Sequence, residues 1–144
     1  MEAHFYNVNI SWKQDRKGEM SSPELSQSVE IATPPQFPKG LEDIWSPEHL
    51  FTAAVSSCLM TTFLAIAENS KLEFVNFECS SKGKLEQIDG KFLMTEVILE
   101  PVVTIKNESE REKAEKVLQK SEANCLISNS VKSKITMISE IKLA

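Results

Sequence analysis

The sequence predicts an α+β fold with a mainly antiparallel sheet, in a single domain that spans residues 1–144. Three observations favour this class. Apolar and polar residues alternate near both ends of the chain, which is typical of strands. Two long strand-like segments meet at an Asp-Gly dipeptide, and two further segments have helical signals. A chain of 144 residues can bury a core without metals or disulfides.

The first strands are expected within the first thirty residues. One face of a half-buried strand is formed by alternate apolar residues: Tyr6, Val8, Ile10 and Trp12. Residues 14–18 form a polar turn, and alternation resumes over residues 25–31. Residues 33–43 contain three prolines and are predicted to form a loop.

A helix is predicted to start at Ser46-Pro47-Glu48, since serine caps helices, proline suits the first helical position and a carboxylate suits the helix dipole. Residues 50–67 have no charges but carry several hydroxyl groups and acidic flanks, so we expect a buried helix ending near Asn69 and not a membrane span. The helix is apolar nearly all round. The apolar surface of this helix must therefore be covered by a sheet or by a second subunit, which predicts a homodimer.

Residues 72–88 and 91–106 are predicted as a hairpin that turns at Asp89-Gly90, with Pro101 at a bulge or an edge. Ser109 followed by Glu112 indicates a capping box before an amphipathic helix. A short piece that holds Cys125 follows, and alternation over residues 135–143 predicts one final strand.

Composition narrows the possible partners and compartment. A net charge of −5 argues against nucleic-acid binding, which needs a basic face. The N-terminus has no secretory signal pattern, and three widely spaced cysteines fit reduced thiols in the cytoplasm.

From the residues alone, the usual role of each cysteine is that of a small buried hydrophobic residue. That reading fits Cys79 best, while Cys58 and Cys125 stay open. The cysteines and the two histidines are too scattered for a zinc site. His49 precedes Cys58 by nine residues, about 13 Å along one helix, which makes a Cys-His hydrolase a weak hypothesis.

Four segments resemble the motifs of the OsmC/Ohr family. Residues 45–58, WSPEHLFTAAVSSC, resemble the helix start that leads to its reactive cysteine. Residues 125–130, CLISNS, resemble its second cysteine motif CPVSN, with Leu126 in place of the proline. Residues 15–18, DRKG, resemble its arginine motif, and residues 32–35, ATPP, lie where the family has a proline-containing loop.

The resemblance implies an OsmC-like fold, in which sheets wrap central helices in an intertwined homodimer, and a thiol-dependent peroxidase of oxidative-stress defence. Cys58 would attack the peroxide as a thiolate and become a sulfenic acid, and Cys125 would condense with it to a disulfide. Arg16 would favour the thiolate and polarise the peroxide, held by a bidentate pair with Glu48. An external dithiol, a lipoyl protein being one candidate, would complete the cycle without cofactor or metal.

Helix arithmetic refines this expectation. Glu48 and Cys58 lie ten residues apart, about 15 Å along one straight helix, so Glu48, alone or together with Arg16, would serve the site of the other subunit. Organic hydroperoxides are expected because apolar residues would wall the pocket: Phe37, Leu50 and Phe51.

Two other functions stay open. The same dimer cleft could hold a small apolar ligand with little or no turnover, or the chain could be a purely structural dimer. In those cases Glu48 is only a helix-dipole residue and Arg16 only an exposed turn residue.

Overall fold

A computed structural model describes all residues from Met1 to Ala144, which form two compact units, Met1–Leu50 and Phe51–Ala144. The first unit contains a three-stranded antiparallel sheet in the order β1-β2-β3. Its strands are β1, Asn9–Gln14, β2, Lys17–Ser21, and β3, Val29–Ala32. The predicted polar turn joins β1 to β2, with Asp15 in the left-handed region at φ 49°.

The apolar face expected to be half-buried at the N-terminus is exposed in the single chain. Strand β1 begins only at Asn9, so Tyr6 and Val8 precede it. Tyr6 is 85% exposed and Trp12 77% exposed. The half-buried strand is therefore a wrong prediction for one chain, since all six residues of β1 are exposed to solvent.

Helix α1, Pro47–Asn69, has the predicted start and end. The Ser46 hydroxyl oxygen accepts a hydrogen bond from the backbone N–H of His49 at 3.1 Å, and the Ser46 carbonyl accepts from Leu50 at 2.9 Å. Ser46 is fully buried, so the cap is part of the packed structure. The Trp45 ring meets the His49 ring edge to face at the same helix start.

The second unit is built on the predicted hairpin. Strands β4, Asn76–Ile88, and β5, Lys91–Ile105, pair in antiparallel fashion along their whole length. Asp89 and Gly90 both have positive φ, 52° and 79°, which is the geometry of a two-residue hairpin turn.

The predicted final strand is two short strands, β6, Lys134–Met137, and β7, Glu140–Leu143, each parallel to β5. The bulge lies at Lys84/Leu85, so a bulge at Pro101 is a wrong prediction. Pro101 is buried where β5 changes partner from β6 to β7, and a residue without an N–H fits there because neither strand pairs with it.

Helix α2, Arg111–Ala123, buries the predicted apolar face against the sheet. The capping box is wrong, because Ser109 lies in a 3-10 turn, Glu108–Glu110, and the N-cap is Glu110 without a side-chain bond. The Arg111 guanidinium pairs with the Glu108 carboxylate and also donates to the carbonyl of Ile141 at 2.8 Å. These contacts hold the first residue of α2 against β7.

The core of the second unit forms where α1 and α2 meet the sheet. The buried residues of α1 include a stripe at every fourth position: Val55, Leu59, Phe63 and Ala67. Full burial of a side chain such as Phe63 contributes about 1.5–3 kcal/mol. The opposite face is open in the single chain, with Met60 39% and Leu64 42% exposed, so the all-round burial predicted for α1 is not provided by one chain. By length and composition α1 could also cross a membrane, but its buried stripe packs on the sheet.

Candidate active site

Cys58 lies in the middle of α1 and is 9% exposed. It belongs to the side of the helix that faces the sheet, between Val55 and Leu59 of a buried cluster with β5. Its sulfur lies 3.9 Å from the hydroxyl oxygen of Thr62, one helical turn further along. Thr62 was not predicted, although its spacing of four residues from Cys58 is a signal that the sequence contains.

Cys125 follows α2 directly and is completely buried. Its N–H donates to the Glu122 carbonyl at 3.3 Å, and its carbonyl accepts from the N–H of Asn129 at 3.0 Å. The Asn129 side chain donates to the Ala123 carbonyl at 3.2 Å, which ties the turn back to the end of α2. The Cys125 side chain is therefore held by a well-bonded backbone on both sides.

The fold brings the thiols of Cys58 and Cys125 together although they are distant in sequence. Both are reduced, and hydrogen bonding with the Cys125 thiol lowers the pKa of Cys58. Hydrogen bonding from the backbone of Ile127 and Leu126 lowers the pKa of Cys58 as well. These backbone donors are a part of the site that side-chain patterns in the sequence could not indicate.

The surroundings shift the two thiols in opposite directions. Burial raises the pKa of Cys58, but hydrogen bonds from Cys125, Ile127, Thr62 and Leu126 outweigh burial, and its pKa lies below the ordinary thiol value. Burial raises the pKa of Cys125, and its hydrogen bond to Cys58 raises the pKa further. Cys58 is thus the member of the pair that ionises first.

Ser128 is a second side chain of the site that the sequence did not indicate. Its hydroxyl is buried and makes no hydrogen bond of ordinary length. Beside the Cys125 sulfur, the Ser128 side chain and backbone lower the pKa of Cys125, but they only partly offset the effect of burial. The pKa of Cys125 therefore stays above the ordinary thiol value.

Cys79 has the packing role predicted for it. It is half-buried on β4 and packs against the cluster that contains Val55. Its sulfur lies 3.5 Å from the Ser81 hydroxyl, which donates to the Ser56 hydroxyl at 2.7 Å. Cys79 is also reduced.

Arg16 and Glu48 line one open cleft in the first unit, with a volume of about 450 Å³. Arg16 is exposed in the β1–β2 turn, where its carbonyl accepts the Thr33 N–H at 3.2 Å. Glu48 is half-buried in the first turn of α1. The cleft is mainly apolar and includes Ile10, Trp12, Ile31, Pro34 and Phe37.

Of the apolar residues predicted to wall the pocket, Phe37 lines this cleft and the other two do not. Leu50 is half-buried at the end of the first unit. Phe51 packs instead against the buried cluster of the second unit.

Comparison with known proteins relates this architecture to one family. The sequence profile described as OsmC-like protein matches residues 40–140. The uncharacterized protein YmaD of Bacillus subtilis is 25% identical over 142 residues, which cover 95% of this chain and 93% of that protein.

Solved structures share the whole fold. An OsmC-like protein of unknown function from Vibrio cholerae superposes with a TM-score of 0.85 and 24% identity, over 95% of this chain and 99% of that chain. An organic hydroperoxide resistance protein OsmC from Legionella pneumophila superposes with a TM-score of 0.76 and 19% identity, over 100% and 99%. The predicted family and the α+β class are confirmed, and the chain belongs to the OsmC-like protein family.

Proposed function

We propose that this protein is a thiol-dependent peroxidase that reduces hydroperoxides, with Cys58 as the attacking and Cys125 as the resolving cysteine. The observation that carries the proposal is the contact between two reduced thiols, of which Cys58 has a lowered and Cys125 a raised pKa. The attacking sulfur must be a thiolate, whereas the resolving sulfur can remain a protonated thiol until the second step. The name of the Legionella relative, an organic hydroperoxide resistance protein, points to the same chemistry.

In the first step the Cys58 thiolate attacks one oxygen of the hydroperoxide. A sulfur–oxygen bond forms, the oxygen–oxygen bond breaks, and the leaving alkoxide takes a proton and departs as an alcohol. Cys58 is then a sulfenic acid, oxidised by the two electrons that the peroxide has gained.

In the second step the Cys125 sulfur attacks the sulfenic sulfur. The disulfide forms, the sulfur–oxygen bond breaks, and the hydroxyl leaves as water with the proton of Cys125. An external dithiol then reduces the disulfide and becomes a disulfide itself. Because Cys58 is 9% exposed and Cys125 is not exposed, the dithiol attacks the Cys58 sulfur first.

Arg16 and Glu48 are proposed to complete the site from a second chain. Helix α1 is unbroken from Pro47 to Asn69, so Glu48 and Cys58 are separated by about 15 Å of helical rise. In a homodimer, Glu48 of one chain can act with Cys58 of the other chain, which gives two composite sites. The exposed apolar faces support such a dimer: Ile10 and Trp12 on β1, and Met60 and Leu64 on α1.

Organic hydroperoxides are the proposed substrates, since the cleft that holds Arg16 and Glu48 is otherwise mostly apolar. In this arrangement the guanidinium would polarise the peroxide, and the carboxylate would orient the guanidinium. Three reduced cysteines fit a reducing compartment, for which we propose the cytoplasm.

One experiment tests the chemistry directly. One equivalent of an organic hydroperoxide is added to the reduced protein, and free thiols and intact mass are recorded. We expect rapid loss of two thiols and of two hydrogen atoms in mass. Cys58→Ser abolishes this loss, Cys125→Ser stops at a sulfenic acid with one added oxygen, and the control Cys79→Ser behaves as wild type.

Thiols that stay unchanged would contradict the peroxidase and leave the binding of a small apolar ligand as the function. The mainly apolar cleft of about 450 Å³ is the observation that favours this alternative.

A further inference from the structure

The loop that follows β3 contains two consecutive β-turns that share Phe37. In the first turn, residues 34–37, the N–H of Phe37 donates to the carbonyl of Pro34 at 3.1 Å. In the second turn, residues 37–40, the carbonyl of Phe37 accepts from the N–H of Gly40 at 3.0 Å. The backbone of Phe37 is therefore hydrogen-bonded on both sides.

The local sequence makes both turns rigid. Each turn has a proline at its second position, Pro35 or Pro38, and proline presets the φ that this position requires. Lys39 follows with φ 64°, the left-handed conformation that the third position of a type II turn requires. The N–H of Leu41 donates to the carbonyl of Thr33 at 2.9 Å, which closes the loop at its base.

The two turns pack against each other at Gly40. A Cβ at this position would overlap the carbonyl of Pro34 and would lie 2.9 Å from the Cα of Pro35. These are backbone atoms, which cannot rotate away as the end of a flexible side chain could. The loop therefore holds Phe37 in a position that permits little movement.

The side chain of Phe37 is half-buried and lines the cleft that also contains Arg16 and Glu48. We propose that Phe37 is a specificity-determining residue, which contacts the organic group of the substrate and favours organic hydroperoxides over hydrogen peroxide. This inference rests on the proposed function, because it concerns the substrates of that reaction.

The physical reason is the apolar surface that the two kinds of substrate offer. Hydrogen peroxide has none, whereas cumene hydroperoxide carries a phenyl group and two methyl groups. Contact with Phe37 removes part of that surface from water, which favours binding in proportion to the area. Because the turns fix Phe37 before a substrate arrives, little conformational entropy is lost at this wall on binding.

The test compares the rates at which reduced protein reacts with cumene hydroperoxide and with hydrogen peroxide in single-turnover measurements. We expect Phe37→Ala to lower the rate with cumene hydroperoxide roughly tenfold, the scale on which an apolar contact discriminates between substrates. The rate with hydrogen peroxide should stay unchanged. Phe37→Leu should keep most of the selectivity. Phe5→Ala is the matched control, since Phe5 is 84% exposed and lies outside the cleft.

A second pair of variants tests the turns and leaves Phe37 in place. Gly40→Ala should lower the selectivity in the same direction, because the added methyl group pushes the two turns apart. Lys39→Gly should keep the selectivity, because glycine adopts positive φ readily. Equal losses with both peroxides in Phe37→Ala, or an unchanged selectivity, would overturn the proposal. If Gly40→Ala does not fold, the Phe37 variants decide.

A binding measurement separates this inference from the proposed function. Cumyl alcohol, the product of cumene hydroperoxide reduction, is titrated into the protein and followed by tryptophan fluorescence, since Trp12 lines the same cleft. We expect a Kd about tenfold higher in Phe37→Ala and unchanged in Phe5→Ala. A protein that reduces no hydroperoxide but shows this difference would keep the role of Phe37 and lose the proposed function. A protein that reduces hydroperoxides with the same Kd and selectivity in wild type and Phe37→Ala would lose the role of Phe37 alone.

Discussion

The thiols of Cys58 and Cys125 interact with each other, and this interaction shifts their pKa values in opposite directions, lowering that of Cys58 and raising that of Cys125. The disulfide of the proposed mechanism would form between the same two sulfurs. The ionisation of Cys58 and the formation of the disulfide would therefore depend on the same arrangement of the two sulfurs. Substitutions of the groups that hydrogen-bond to Cys58 should affect both steps.

Replacing Cys125 by alanine should raise the pKa of Cys58, because hydrogen bonding from Cys125 lowers that pKa. The thiolate forms above the pKa, so the rate of alkylation of Cys58 rises with pH and reaches its plateau at higher pH in the variant. At neutral pH we expect a rate lower by about tenfold.

Cys125→Ser is the matched control, since its hydroxyl still donates and cannot form a disulfide. An alanine variant that titrates at or below the wild-type pH would contradict the direction of the hydrogen bond.

Thr62→Val should slow the reaction of Cys58 with a hydroperoxide by about two- to threefold, a small effect because the hydroxyl lies 3.9 Å from the sulfur. Valine keeps the shape of threonine and loses only the donor. Stopped-flow peroxide consumption under single-turnover conditions measures the rate, and Thr62→Ser should restore it. No recovery with serine would assign the effect to packing.

The composite site predicts complementation between inactive chains. Glu48→Ala and Cys58→Ser, each inactive alone, are mixed and refolded together. Half of the resulting dimers carry one chain of each kind and one intact site, so about a quarter of the wild-type activity should return. A mixture as inactive as its components would contradict the composite site and show that Glu48 and Cys58 of the same chain act together.

Gly83 should tolerate no side chain. A Cβ at this position on β4 would lie 2.0 Å from the Thr52 hydroxyl oxygen and 2.7 Å from the Met94 methyl carbon. Gly83→Ala is expected to destabilise the protein by about 1–3 kcal/mol, measured by urea unfolding. Thr52→Ala in the same chain removes the closest atom and should recover part of the loss, whereas additive effects would show that the two positions are not in contact.

The sequence was informative wherever a local pattern had one physical solution. Ser46 before a proline predicted the cap of α1, and Asp89-Gly90 predicted the hairpin turn, because few residues adopt positive φ at two consecutive positions. Ser109 misled, since it lies within a 3-10 turn that runs directly into α2, and the motif does not show that the helix begins two residues later.

Other parts of the fold depend on long-range choices. Nothing in residues 135–143 indicates that they split into two strands parallel to β5, or that Pro101 would fill the gap between them. Alternation in β1 showed which side chains share a face but not what covers that face. At the site, the cysteines were found through motif resemblance, while the N–H groups of Leu126 and Ile127 are backbone donors that any residue except proline would supply.

The two tryptophans of the chain, Trp12 and Trp45, both lie in the first unit, and all three cysteines lie in the second. Intrinsic fluorescence therefore reports on the first unit, and thiol accessibility reports on the second. Trp12 is 77% and Trp45 54% exposed, so their emission will respond to anything that covers them. Unfolding and assembly can thus be followed half by half in the unlabelled protein.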